Sequence, residues 1–271
     1  MHCGIGGVHV LTIPVSTGTK YGMAVSRDGA WCAVSYYHVI RVYSTTPPHA
    51  LLHTIGSPGN RQLDYPYKMC VTPVNSLLLC DYFNNRVQEL TLEGTFVRAF
   101  AVRGPICVAL NNDVLAVGTN YKNSLYIRLF SYPIGTPLRS FGPVGSGDGQ
   151  IGGRAEGMRF TQDGRFLVVA ENKNRRVSVF TVDGEFAMHI GVGVVDNSDK
   201  DVEIDVNGDI IVADSRNHRV CVFPFEGGPM SASWGVQGTG DGQFEDPSVL
   251  ALEGSRLYVL DRINDRVQVF E

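Results

Sequence analysis

The stretch DIIVADSRNHRVCVF (Asp209–Phe223) decides the fold. An apolar run rich in Ile and Val ends at an acid, Asp214, and a second strand-like run begins at Arg219. Both runs have the β-branched and apolar content of short buried strands, and the Asn between them marks a tight connection. Three other segments carry the same order of acid, Asn, Arg and Val: DYFNNRVQEL (Asp81–Leu90), ENKNRRVSVF (Glu171–Phe180) and DRINDRVQVF (Asp261–Phe270).

Taking the first apolar residue of each third strand as a ruler gives Val87, Val177, Val220 and Val267. Degenerate copies supply Ile40 in VIRVYS and Ile127 in YIRLFSY, so the intervals are 47, 40, 50, 43 and 47 residues. Before each marker stand an apolar strand, a Gly- or Asn-bearing turn and a second strand, as in GMRFT, QDG and RFLVVAE. After it come another turn and a fourth, less regular strand. Six units of about 45 residues with four antiparallel strands each describe an all-β, six-bladed β-propeller, read as one domain over residues 1–271. A sandwich would give no reason for sixfold self-similarity. The last unit stops after its third strand, and GVHVLTI (Gly7–Ile13) is left over at the start. The expectation is that this N-terminal strand pairs with the Val267 strand and completes the last blade.

Hydrophobic content of 44% and charged content of 18% are those of an ordinary globular protein. A net charge of −4 argues against indiscriminate binding to nucleic acid or anionic membranes. The first residues lack the basic and apolar regions of a signal peptide, and no apolar run approaches a membrane span. Six scattered cysteines (Cys3, Cys32, Cys70, Cys80, Cys107 and Cys221) form no C-x-x-C pair and read as reduced core residues of a cytoplasmic protein.

The repeat resembles that of the NHL family: a Pro/Gly-led inner strand, a Gly turn, V-A-D, then N-x-R-V-x-V-F and a fourth strand ending in F-G. DIIVADSRNHRVCVF follows it almost throughout, including N-H-R. GSGDGQ (Gly145–Gln150) and GTGDGQFEDP (Gly238–Pro247) look like the family's links between blades. Units 1 and 3 depart from the pattern, and unit 3 carries a longer loop, GTNYKNSLY. The resemblance implies partners that are proteins or single-stranded RNA, held on the face bearing the second-to-third-strand loops. It also brings in enzymes of similar fold, an amidating lyase with zinc-binding histidines and lactonases with a divalent cation.

The recurring acid, Asn and Arg are read as a structural staple, an Asp81/Arg86-type pair closing each hairpin. The variable residues of the same loops are the candidate binding surface. Units 1 to 3 contribute Tyr36, Tyr37, Tyr65, Tyr67, Lys68, Tyr82, Phe83, Arg103, Tyr121 and Lys122. Units 4 to 6 contribute Lys173, Arg175, Arg216, His218 and Arg262, with Glu156, Asp199, Asp201, Glu245 and Asp246 among the acids. Aromatics with Arg and Lys serve both protein hot spots and single-stranded RNA platforms. Interleaved acids favour a protein partner, with single-stranded RNA as the alternative.

Catalytic readings have less support. Seven histidines include no H-x-x-x-H pair, and only His38 and His218 fall in the upper loops. Glu156, Asp201 and Asp246 could supply oxygen ligands at a channel mouth, but read more simply as solvated charges. Arg159 and Glu203 align in neighbouring inner strands as a cross-blade pair. The GSGDGQ-type loops precede no helix and no G-K-[ST], so they read as flexible linkers without phosphate binding. The sequence therefore describes a non-catalytic, monomeric binding propeller without a cofactor.

Overall fold

Each unit folds as a four-stranded antiparallel sheet in a computed structural model that describes residues 6–57, 62–121, 124–196 and 201–271, the side chains at 121 and 124–126 aside. The strand β1 (His9–Pro14) precedes blade 1, which holds β2 (Gly22–Val25), β3 (Trp31–Ser35), β4 (Ile40–Ser44) and β5 (Leu51–Ile55). Blade 2 is β6 (Pro66–Val71), β7 (Leu77–Asp81), β8 (Arg86–Leu90) and β9 (Phe96–Ala101). Blade 3 is β10 (Pro105–Asn111), β11 (Val114–Tyr121), β12 (Ser124–Ser131) and β13 (Pro137–Phe141). Blade 4 is β14 (Ala155–Phe160), β15 (Phe166–Glu171), β16 (Arg176–Thr181) and β17 (Phe186–Ile190). Blade 5 is β18 (Val202–Ile204), β19 (Ile210–Asp214), β20 (Arg219–Phe223) and β21 (Ala232–Trp234). Blade 6 is β22 (Pro247–Glu253), β23 (Arg256–Asp261) and β24 (Arg266–Phe270), completed by β1.

Innermost strands neighbour one another in a closed ring, β2 to β6 to β10 to β14 to β18 to β22 and back to β2. Closure follows from the expected pairing of the N-terminal strand: Ile13 lies opposite Val267 and Thr12 opposite Gln268. The ladder continues as reciprocal backbone bonds between Val8 and Glu271. This pairing covers the outer edge of β24, which would otherwise present unpaired backbone groups to solvent.

Burial explains the strand compositions. The second strand of each blade is packed on both faces, and LLLCD in β7 or IIVAD in β19 is buried at every position. The outermost strands are exposed on at least one face, and β5 is exposed at four of its five positions. Six apolar clusters fill the six gaps between neighbouring blades. Between blades 1 and 2, Ala33, Ile40 and Val42 meet Leu77 and Leu79. Each such side chain is worth about 1.5–3 kcal/mol, so the core is a ring of seams around an axis. The longer connection expected in unit 3 is instead an extended hairpin, with β11 paired to β12 from Val114↔Ser131 to Tyr121↔Ser124. Cys32, Cys80, Cys107 and Cys221 are buried free thiols and Cys70 is partly buried; Cys3 lies outside the described residues. Among the described residues, no helix is long and apolar enough to cross a membrane.

Candidate interaction face

The marker residues are spent on architecture. Asp81 is fully buried and accepts Arg86 Nε at 2.8 Å, Asn84 Nδ2 at 2.9 Å and the N–H of Asp64 at 2.7 Å. Its counterparts repeat the arrangement. Glu171 accepts from Arg176, Asn174 and the N–H of Gly152. Asp214 accepts from Arg219, Asn217 and the N–H of Asp196, and Asp261 from Arg266, Asn264 and the N–H of both Glu245 and Asp246. Each carboxylate thus fastens its own hairpin and also the link entering the same blade. The Arg side chain completes the tie with its outer nitrogens. Arg266 donates to Thr239, Gly240 and Gln243 carbonyls, and Arg176 to those of Ser146, Gly147 and Gln150. The glycine-rich links are therefore pinned rather than flexible, and Gln150 and Gln243 each close their turn onto a backbone N–H. The left-handed conformation falls on the residue after the marker Asn: Asn85, Arg175, His218 and Asp265 have φ of 52–53°. The marker Asn itself works through its side-chain amide.

The acids at the channel mouth are buried, contrary to the reading of solvated charges. Lys68 reaches across the axis from β6 to Asp201, Nζ–Oδ2 3.0 Å, and also donates to Ser248 O at 3.4 Å. Asp201 accepts in addition from the N–H of Leu250, at 3.2 Å. Asp246 is paired with Arg262 at 2.7 Å, and Glu156 accepts from Asn172 Nδ2 at 3.2 Å. Removing such carboxylates from water is tolerable only because each finds donors. Lys68 is accordingly a buried channel residue, not part of an exposed patch. Lys20, fully buried, stitches blade 1 to blade 6 by bonding Asp265 and the carbonyl of Arg262. At the opposite mouth the expected pair forms, Arg159 clasping Glu203 through two bonds of 2.6 and 2.8 Å.

Above blades 1 and 2 the aromatic residues gather around one ring. Tyr65 has its centroid 4.4 Å from Tyr21, 4.5 Å from Tyr37, 5.2 Å from Phe83 and 5.9 Å from Tyr67. Tyr82 joins through Tyr67 at 5.8 Å and Phe83 at 4.9 Å. Tyr65 occupies the left-handed region, φ 60°, which a bulky residue adopts at a cost of about 1–3 kcal/mol. Its N–H donates to Tyr37 O and its carbonyl accepts from Tyr82 N–H, so adjacent blades hold it there. Tyr37 and Phe83 are 51% and 56% exposed on the rim of this cluster. Partial burial, together with a hydrogen bond to Tyr65, pushes the Tyr21 phenol well above the usual tyrosine range, so it stays neutral.

Other expected surface residues divide. Tyr36 turns inward between blades 6 and 1, where its hydroxyl donates to Ser16 O at 3.1 Å and meets Tyr43 Oη at 3.2 Å; it is core, not surface. Arg103 and Lys173 are exposed on the upper loops. Arg175 spends its guanidinium on Val195 and Gly193 carbonyls, and Arg262 is committed to Asp246. Arg216 is exposed beside Asp196, whose carboxylate accepts its backbone N–H at 2.6 Å. His218 Nδ1 lies 3.0 Å from Glu245 O, and His38, at the equivalent position of blade 1, lies 3.3 Å from Leu63 O. Among the described residues no three His, Cys, Asp or Glu side chains converge on a metal position. The Tyr121 side chain, Lys122 and Asp199 lie outside the described residues.

Two contributors escaped the sequence reading, Tyr21 and Arg154. Both stand immediately before an inner strand, as Tyr65, Asp201 and Asp246 do. That shared position was the available signal. Arg154 Nη1 lies 3.4 Å from Tyr67 Oη and so joins the aromatic cluster to a cleft of about 820 Å³ above blades 3 and 4.

The family model of the NHL repeat matches residues 200–223, ending with β20 of blade 5. No curated protein matches the chain. With six four-stranded blades closed by an N-terminal strand, the chain is a six-bladed β-propeller that carries an NHL repeat.

Proposed function

We propose that the propeller is a non-catalytic binding module that holds a protein partner on the face bearing Tyr37, Tyr65 and Phe83. The reading rests on the aromatic cluster. Six rings from two blades form one cluster, four of them packed directly on Tyr65, which is kept in a strained conformation, and two of the six are left on the surface. Rigid aromatic area of this kind supplies binding energy at little conformational cost, and nothing in the fold requires Tyr37 or Phe83 to be aromatic. Absence of catalysis is supported by Lys68, whose ammonium stands against Asp201 where a cation-dependent enzyme would need open carboxylates. The module works as a monomer in the cytoplasm, where its unpaired thiols persist.

Affinity capture from cell extract tests this with three proteins: wild type, a Tyr37→Ala/Phe83→Ala variant, and Ile134→Ala, which alters an exposed residue of the opposite face. The expected result is a protein recovered by wild type and Ile134→Ala and lost with the double variant. Equal recovery by all three refutes the choice of face. Capture that is abolished by ribonuclease moves the surface to single-stranded RNA.

A further inference from the structure

The described residues lining the cleft beside the aromatic cluster are Asn120, Val144, Ser146, Arg154, Asn172, Lys173 and Asn174 together with linker glycines, and none of these is a carboxylate. Lys173 is exposed at its rim, and the Arg154 side chain is 42% exposed. Of the acids in the same segments, Glu156 is buried, bonded to Asn172 and ion-paired with Arg154 at 4.0 Å; Glu171 is buried and held by Arg176; Asp148 is exposed, 3.3 Å from His189. Lys173 and the exposed part of Arg154 therefore present positive charge towards solvent at this cleft, in a chain whose net charge is −4.

We infer that the partner segment is an extended acidic peptide, with an aromatic or proline residue seated on Tyr37, Tyr65 and Phe83 and its carboxylates in the Arg154/Lys173 cleft. The inference rests on reading the aromatic patch as the partner surface. Tyr67 touches both the patch and Arg154, so the two sites are contiguous and a few extended residues span them. Charge complementarity selects the acid. A peptide fits better than a polynucleotide because the basic stretch is short. Beyond it, Arg175 and Arg262 are tied to groups of the protein itself, and a phosphate backbone needs a continuous stripe.

Selection of a phage-displayed random dodecapeptide library on the intact propeller tests the assignment. Selected peptides are then synthesised with a fluorescent label and titrated by anisotropy. The expected peptides carry Asp or Glu beside an aromatic residue or proline. Lys173→Gln weakens them roughly 2–5-fold and Lys173→Glu more, replacing their acids by amides does the same, and high salt reduces the difference. Arg154→Gln serves as a second variant, read with a thermal melt because Arg154 also touches Tyr67. If selected peptides depend on Tyr37 and Phe83 but show no acid enrichment and bind Lys173→Glu as well as wild type, the inference fails while the proposed function stands. Acidic peptides indifferent to Tyr37→Ala/Phe83→Ala refute the patch instead. An oligouridylate that binds more tightly than any peptide, with the same Lys173 dependence, overturns the acidic-peptide assignment.

Discussion

Replacing Asp261 with Asn tests whether the repeated acid is a structural hub. Its Oδ1 accepts the N–H groups of Glu245 and Asp246, both at 3.0 Å, and its Oδ2 accepts Asn264 Nδ2 at 2.7 Å and Arg266 Nε at 3.1 Å. An amide of the same shape keeps one oxygen and puts two hydrogens against two of these donors. Either orientation breaks two bonds, those to Asn264 and Arg266 or those to the N–H groups of Glu245 and Asp246, and in both the nearly buried Arg266 loses its counter-charge. Unpairing a buried charge costs about 3–5 kcal/mol. For a domain of this size that lowers Tm by roughly 6–20 °C. Asp214→Asn is the internal comparison. Asp214 accepts a single backbone N–H, and its Arg219 side chain is 26% exposed, so water replaces part of the loss and about 1.5–3 kcal/mol is expected. Urea denaturation at neutral pH, followed by tryptophan fluorescence, measures both. Asp261→Asn within about 1 kcal/mol of wild type, or Asp214→Asn costing more than Asp261→Asn, would refute the hub.

Three further outcomes are expected. Deleting residues 1–13 removes most of β1 and the fully buried Ile13, so the melting temperature should drop sharply; an unchanged melt would sink the closure by β1. His189 is held below the usual imidazole range by burial first and by Arg176 second. As pH falls through that range the unfolded chain binds a proton that the folded one resists, so stability declines towards acid. His189→Gln should flatten that decline, measured as urea midpoints between pH values on either side of the imidazole range; an unaltered profile contradicts the assignment. Burial pushes the Cys32, Cys70 and Cys221 thiols up to about 12, so in a Cys3→Ser variant iodoacetamide at mildly alkaline pH should label these residues only after denaturant is added.

Much of the architecture was legible because a propeller repeats its chemistry. Four copies of acid, Asn and Arg at near-constant spacing, with alternating turns and apolar runs, specify blade number, strand order and the leftover strand that becomes β1. The Arg159–Glu203 pair was legible too, since equivalent positions in successive inner strands must lie side by side. What the pattern concealed was the second job of the marker acid. The N–H groups of Asp64, Gly152, Asp196 and Glu245 lie 16 to 19 residues away in the chain, in links of which only those before blades 4 and 6 share a sequence.

The candidate face was legible as a set of loops but not as a set of side chains. Tyr36 and Tyr37 are adjacent in sequence and equivalent in chemistry, yet one hydroxyl points between blades 1 and 6 and the other ring lies on the rim. Lys68 looked like Lys173 until its partner appeared, 133 residues away across the channel. Sequence alone determined the repeat, because strand, turn and marker are local properties that each unit states for itself. Only the tertiary structure decided which tyrosines and cations reach solvent. That choice depends on side-chain direction at each loop and on partners that ring closure brings together from distant blades.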